Sequence, residues 1–90
     1  MRQGKYVVGE IGGLLTAVLF HVAVPHERMH GVFDLNTIHS AGFFKVSPSD
    51  GKVSVDVFGE SISLDKIPNP TRDPKIIRRV LGVLDHEWSE

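Results

Sequence analysis

The chain has 90 residues, of which 41% are hydrophobic and 23% are charged, and its formal net charge is −1. This length gives room for one domain, and the composition is typical of a soluble globular protein. The absence of cysteine excludes disulfides and cysteine-ligated metal sites, and the near-neutral charge argues against nucleic-acid binding driven by overall charge. The sequence shows neither a signal-peptide layout nor an apolar run of membrane-spanning length, so we expect a cytoplasmic protein that is not membrane-bound.

The first elements in chain order are predicted to form a β-hairpin. Apolar and β-branched residues flank Gly12-Gly13, and a glycine pair suits the positive φ angles of a tight primed turn. The second arm, residues 14–20, is apolar on both alternating faces apart from Thr16. We therefore predict that this arm is a central strand, covered on both sides.

A short helix is predicted to follow residue 24. Pro25 suits the first position of a helix, and Glu27 suits the positive end of the helix dipole. Gly31 weakens the pattern, so the helix is expected to have two or three turns at most.

The same stretch carries a possible metal motif, because residues 26–30 read HERMH and match the pattern HExxH. In that pattern, His26 and His30 would bind zinc from one face of a helix, with Glu27 as general base. His39, on a predicted strand, is the candidate third ligand. The positive charge of Arg28 between the ligands argues against a zinc peptidase. Zinc therefore remains the cofactor only of an alternative hypothesis, and we otherwise expect no cofactor.

A second hairpin is predicted next. A strand over about residues 37–46 leads into a Pro-Ser-Asp-Gly turn, and a second strand returns from Lys52. Val53, Val55 and Val57 alternate with polar residues, which is typical of a strand with one solvent-exposed face. The alternation changes phase near Gly59, so a bulge or bend is predicted over residues 58–60.

Phe43 and Phe44 are adjacent on the first strand of this hairpin. Successive side chains of a strand point to opposite faces, so one of the two rings is expected to fill the core. The other is covered inside the protein or forms part of a surface that binds a partner.

A C-terminal helix is predicted after a proline-broken connection. Asp73 is expected to cap this helix and Pro74 to open it. Residues 85–90 are expected to fray. The side chains expected to form one apolar stripe are Ile76, Ile77, Val80, Leu81 and Leu84.

Four basic residues lie off that stripe: Arg72, Lys75, Arg78 and Arg79. They are interpreted as a solvated helix face, or as a surface that contacts phosphates or an acidic protein. Together, the predicted elements give the order ββαββα over residues 1–90. We expect a single small α+β domain with an antiparallel sheet of about four strands and two helices packed on one face.

Several short strings resemble those of a family of short, mostly uncharacterised proteins of proteobacteria and their phages. These strings are AVLF, then a histidine in the following helix, SAGFF and FGESISL, and the likeness covers about residues 6–64. The resemblance implies no catalytic residues. It implies a histidine at the position of His26 without the full HExxH pattern, which would make Glu27 and His30 incidental.

We therefore expect a non-enzymatic protein-interaction module of phage or mobile-element origin, which binds a second copy of itself or a host protein. Its candidate contacts are the edge of its sheet, Phe43 or Phe44, and the basic helix face from Arg72 to Arg79. The first alternative is a zinc-binding protein or metallohydrolase built on His26 and His30. The second is a nucleic-acid accessory protein that uses the basic helix face.

Overall fold

The computed structural model describes residues 2–31, 33, 37–49 and 52–88. In chain order its elements are β1 (Gln3–Ile11), β2 (Leu14–Phe20), the 3-10 helix η1 (His26–Gly31), β3 (Ile38–Ser49), β4 (Lys52–Phe58) and α1 (Asp73–Trp88). The four strands form one antiparallel sheet in the order β2-β1-β3-β4. The prediction of a small α+β domain with a four-stranded antiparallel sheet is confirmed.

The β1–β2 hairpin has the predicted turn. Gly12 and Gly13 take φ angles of 61° and 82°, and Ile11 pairs directly with Leu14. Two consecutive positive φ angles define a type I′ turn, whose twist matches that of the flanking strands. The glycine pair is therefore what allows β2 to return along β1 without a longer loop.

The prediction that β2 is a central strand is wrong, because β2 lies at one edge of the sheet and β1 is central. Both faces of β2 carry apolar residues because the sheet is covered on both sides. Leu15 and Leu19 contact the core under α1, whereas Val18 and Phe20 contact a second cluster on the opposite face. A strand can thus be apolar on both faces and still have one unpaired edge.

The second hairpin joins β3 to β4 with the alternation read from the sequence. Phe44 pairs with Val57 and Val46 pairs with Val55, on the face that packs against α1. β4 ends at Phe58, and Gly59 takes a φ of 72°, which gives the predicted bend. The centre of the predicted Pro-Ser-Asp-Gly turn, residues 50–51, lies outside the described residues.

α1 covers one face of the sheet with four residues of the predicted apolar stripe, Ile76, Ile77, Val80 and Leu81, whereas the side chain of Leu84 lies outside those described. The core on this face consists of Tyr6, Val8, Ala17, Phe44, Val55, Ile76, Ile77 and Leu81. Burying each of the large side chains in this set stabilises the fold by roughly 1.5–3 kcal/mol relative to leaving it exposed. α1 extends to Trp88, and the predicted fraying of residues 85–90 stays a prediction.

The helical turn that leads into α1 is capped by Asn69, and not by Asp73 as predicted. Asn69 Oδ1 accepts hydrogen bonds from the backbone N–H groups of Thr71 (3.2 Å) and Arg72 (3.0 Å). The carbonyl of Asn69 accepts from the N–H of Asp73 (2.8 Å), and Pro70 takes the first position of the turn. The side chain of Asp73 is turned toward the sheet instead.

The predicted order ββαββα, with two helices on one face, needs correction. Among the residues that the structure describes there is one α-helix, near the C-terminus, and the segment His26–Gly31 is a 3-10 helix of six residues. Pro25 before it and Gly31 at its end leave too short a segment for a regular α-helix. This segment lies on the sheet face opposite α1, beside a cluster of Val7, Phe20, Phe33, Ile38, Ala41 and Leu64. Within the described residues, no helix is both long and apolar enough to cross a bilayer.

Candidate functional site

His26 begins η1 and is buried against the sheet. Its Nε2 donates a hydrogen bond to the carbonyl oxygen of Gly42 at 2.8 Å, which assigns the ring proton to Nε2 because a carbonyl only accepts. The imidazole meets the rings of Phe20 and Phe43 edge to face, at centroid distances of 5.5 and 5.7 Å. We call these three rings with Gly42 the His26 cluster.

Burial of the imidazole lowers the pKa of His26 below its usual value of 6.5. The hydrogen bond to Gly42 opposes this shift, and the positive charge of Lys5 adds to it. His26 is therefore neutral at neutral pH, with Nδ1 as its acceptor nitrogen.

Lys5 fixes the segment that leads into η1. Its Nζ donates to the carbonyl of Val24 at 3.1 Å and lies 5.8 Å from the centroid of the Phe43 ring. The ammonium thus links β1, the connection after β2, and the His26 cluster. These contacts give His26 a structural role in holding η1 on the sheet.

The 3-10 geometry of η1 bears on the HExxH match. In an α-helix, positions 26 and 30 share a face, whereas in a 3-10 helix positions three apart are aligned and position 30 lies about a third of a turn away. The candidate third ligand, His39, has its Nε2 3.0 Å from Oε1 of Glu10. The described residues contain no group of three potential metal ligands, but the side chain of His30 lies outside them. The metal hypothesis therefore stays a prediction, in which His26 would bind through Nδ1.

A second polar cluster lies on the α1 side of the sheet. The Tyr6 hydroxyl donates to Oδ2 of Asp73 at 2.6 Å, and the backbone N–H of Asn69 donates to the same oxygen at 2.8 Å. Arg72 donates from Nε to Oδ1 of Asp73 at 3.2 Å and from Nη2 to the Ser40 hydroxyl at 3.0 Å. This network joins the start of α1 to β1 and β3.

The network keeps its tyrosine protonated. Burial raises the pKa of Tyr6 above its usual value, and the hydrogen bond and the charge of Asp73 raise it further. Both carboxylate oxygens of Asp73 accept hydrogen bonds, and the guanidinium of Arg72 lies beside them. Each group thus has a structural partner, as a buried polar group requires.

The four basic residues predicted to form one helix face differ in exposure. Arg72 is half-buried in the polar network, whereas Lys75, Arg78 and Arg79 are exposed. Arg79 donates from Nη2 to the carbonyl of Leu15, at the start of the β2 edge. Three exposed cations on one helix therefore remain as a candidate contact surface, and their proposed partners stay a prediction.

Phe43 and Phe44 point to opposite faces, as predicted. Phe44 is fully buried under α1, and Phe43 is half-buried on the other face. The Phe43 ring stacks on Phe58, with a centroid distance of 5.8 Å and an interplanar angle of 17°. The ring that reaches solvent is thus Phe58, which sequence reasoning missed. Its position at the end of a strand, just before Gly59, was the available signal.

Three large exposed apolar side chains lie in and beside the connection from β4 to α1. Phe58, Ile62 and Ile67 expose 51%, 84% and 66% of their surface, and we call them the β4–α1 patch. Six large apolar residues are exposed among those the structure describes, and the other three are Ile11, Leu14 and Val22.

The backbone that carries this patch is fixed to the sheet. The carbonyl of Ile67 accepts from the N–H of Ala41 at 3.4 Å, and Ser61 forms a bridge with Lys66. A Cβ atom at Gly42 would lie 2.6 Å from Cγ of Pro68, so glycine is what allows the connection to pack this closely on β3. The patch is therefore presented by an ordered connection.

Comparisons of the chain with protein-family models, with curated proteins and with solved structures give no match. The resemblance to the short proteins of proteobacteria and phages stays a prediction.

Proposed function

We propose that the chain is a non-enzymatic interaction module that binds a protein through the β4–α1 patch. The observation that carries the proposal is the exposure of Phe58, Ile62 and Ile67 within the ten residues from 58 to 67, on a backbone fixed to β3. Scattered single apolar residues are normal on a protein surface, whereas three exposed within ten positions of an ordered connection make that connection a candidate binding site. An ordered site also loses little conformational entropy when it binds.

The charges beside the patch define the partner it fits best. Glu60 and Asp65 are exposed on the same connection and outnumber its one lysine, the half-buried Lys66, whereas Asp56 on β4 lies opposite Lys45 of β3. Such acidic side chains complement a partner whose apolar contact residues are flanked by lysine or arginine. The proposed partner is thus a protein segment with an apolar centre and a basic rim.

The contacts of three buried polar side chains, those of His26, Tyr6 and Asp73, support a role without catalysis. His26 donates to a backbone carbonyl, Tyr6 donates to Asp73, and Asp73 also accepts from Arg72. Each contact links two segments of the fold. The cysteine-free sequence and the resemblance to phage proteins support a cytoplasmic module of phage or mobile-element origin.

The experiment is affinity capture from a lysate of the source cells with matched variants. The test variant is the double replacement Ile62→Ser/Ile67→Ser, and the control is Ile11→Ser/Val22→Ser, which removes two exposed apolar side chains outside the β4–α1 patch. We expect the wild type and the control to retain the same protein and the test variant to lose it. Loss from the control but not from the test variant would contradict the proposal, as would capture of no protein by the wild type.

A further inference from the structure

β2 is an edge strand with an unusual composition for an exposed edge. Its sequence, LLTAVLF, has seven residues without a charge, a proline or a glycine, and β1 is the only strand it pairs with among the described residues. Edge strands of natural proteins are normally protected by charges, prolines or bulges, because an unprotected edge pairs with another strand. The other edge strand, β4, has this protection, since it carries Asp56 and Lys52.

The register of the β1–β2 hairpin determines which residues of β2 direct their backbone N–H and C=O groups away from β1. In an antiparallel pair, alternate residues direct their N–H and C=O groups away from the partner strand. Leu15 is one of these, because its carbonyl accepts a bond from Arg79 rather than from β1. The same direction then applies to Ala17 and Leu19, two and four positions further along. The edge thus offers three residues with outward-facing N–H and C=O groups.

We propose that two copies of the chain associate through antiparallel pairing of their β2 strands about a two-fold axis at Ala17. In this register Ala17 lies opposite its own symmetry mate and Leu15 lies opposite Leu19 of the second copy. All seven residues of β2 are then paired, and the three outward-facing residues of each copy form six N–H···O bonds between them. The two four-stranded sheets become one sheet of eight strands.

Side-chain pairing in this register is apolar on both faces, apart from Thr16, which lies opposite Val18 of the second copy. Leu15 and Leu19 of the two copies meet on the α1 face, and Leu14 meets Phe20 of the other copy on the opposite face. Leu14 is exposed by 62%, so pairing covers a side chain that is otherwise open to water. Cross-strand apolar pairs of this kind stabilise a sheet.

The exposed Arg79 side chain donates to the Leu15 carbonyl, so it must leave this carbonyl or share it with the N–H of Leu19 of the second copy when the strands pair. Arg79 binds at Leu15, and the two Leu15 residues of the dimer are offset by four residues along the paired strands. At a rise of about 3.4 Å per residue, this offset is about 14 Å. The offset exceeds the screening length of about 8 Å at physiological ionic strength, so the two guanidinium groups repel each other little.

The dimer would place the two β4 strands at the outer ends of the sheet. With strands about 4.8 Å apart, the outermost strands are separated by about 34 Å. The β4–α1 patches remain open at both ends, so the dimer would be bivalent for a partner. The self-association itself does not depend on the proposed role of that patch.

The first test is the mass of the purified chain in solution, measured by sedimentation equilibrium. The chain mass is 10.0 kDa, so the wild type is expected to show twice this value. Thr16→Lys places a charge on β2, on the face opposite α1, and is expected to halve the measured mass. Ser54→Lys makes the equivalent change on β4 and is expected to leave the dimer intact. A monomeric wild type, or a dimer dissociated by Ser54→Lys and not by Thr16→Lys, overturns the proposal.

The second test determines the register of the paired strands. It avoids charged replacements, which could impair folding. The chain has no cysteine, so Ala17→Cys introduces a single thiol at the proposed two-fold axis. Hydrogen-bonded residues across an antiparallel pair have Cα atoms about 5.5 Å apart, which lies within the range of disulfides. Oxidation is expected to produce a covalent dimer of Ala17→Cys and none of Ser54→Cys. The opposite result would show that the chains pair through β4 and would refute the proposed register.

Discussion

The hydroxyl of Tyr6 donates a 2.6 Å hydrogen bond to the carboxylate of Asp73 across 67 positions of sequence. Both residues are fully buried, and the bond connects the central strand β1 with the first residue of α1. Arg72 extends this connection to Ser40 on β3. The orientation of α1 on the sheet therefore depends on a polar network as well as on apolar packing.

Replacement of Tyr6 by phenylalanine tests this connection. Tyr6→Phe removes the donor and leaves one lone pair of a buried carboxylate without that bond. Hydrogen bonds to charged groups contribute about 1.5–3 kcal/mol, so we expect the free energy of unfolding to fall by this amount. Urea unfolding followed by circular dichroism measures the change.

A double-mutant cycle with Asp73→Asn provides the control, because it separates the Tyr6–Asp73 coupling from the loss of either side chain alone. A coupling energy close to zero would show that the contact does not stabilise the fold.

The lowered pKa of His26 predicts a dependence of stability on pH. Below its usual pKa of 6.5, the histidine of the unfolded chain takes up a proton that the buried imidazole does not. The unfolded state then binds more protons, so the free energy of unfolding decreases as the pH falls below 6.5, by up to about 1.4 kcal/mol per pH unit. Denaturant unfolding at a series of pH values measures this slope.

His26→Gln is the matched variant, because the glutamine amide keeps a donor for Gly42 and does not titrate. We expect its stability to vary less with pH than that of the wild type. Equal slopes in the wild type and His26→Gln would assign the pH dependence to other groups.

Two glycine replacements are expected to have opposite effects. A Cβ atom at Gly42 would lie 2.6 Å from Cγ of Pro68 and 2.9 Å from the carbonyl oxygen of Phe58, so Gly42→Ala displaces the connection from β3. Crowding of this kind costs about 1–3 kcal/mol. Gly82 lies within α1, and a Cβ atom there would meet no heavy atom within 4 Å beyond its chain neighbours and the backbone of its own helix, so Gly82→Ala should stabilise the helix by about 1 kcal/mol. Thermal unfolding of both variants shows whether each replacement raises or lowers the stability. Destabilisation of both would contradict the packing described for α1.

Zinc titration tests the HExxH hypothesis. Nε2 of His26 is engaged with Gly42, and the 3-10 geometry separates positions 26 and 30 around the helix axis. We therefore expect no stoichiometric zinc binding tighter than about 1 µM by calorimetry. Tighter binding that disappears in His26→Ala would revive the metal hypothesis.

The local features of the fold can be predicted from the sequence. The φ angles of Gly12 and Gly13, the alternation of Val53 and Val55 with polar residues, and the bend at Gly59 each depend on a few neighbouring residues. The turn chemistry and strand periodicity at these positions allow one conformation, so short patterns are sufficient.

Features that depend on distant segments are harder to predict. The two apolar faces of β2 indicate a central strand, but strand order depends on which strand β3 joins. Asp73 has the residue type and position of a cap, whereas Asn69 has this role and Asp73 bonds to Tyr6. The exposure of the Phe58 ring depends on how Phe43 packs beside it. Such contacts are set by tertiary structure and leave no periodic signal in the sequence.

The most direct test of the proposed binding surface is to measure stability and partner binding on one variant, Ile62→Asp. Ile62 is 84% exposed, so its replacement should change the free energy of unfolding by no more than about 0.5 kcal/mol. A charge at this position should nevertheless abolish binding of the captured protein, because the partner would have to desolvate it. Unchanged stability with lost binding is the result predicted for an interaction surface. Undiminished binding of the partner by Ile62→Asp would contradict the proposed role of the β4–α1 patch.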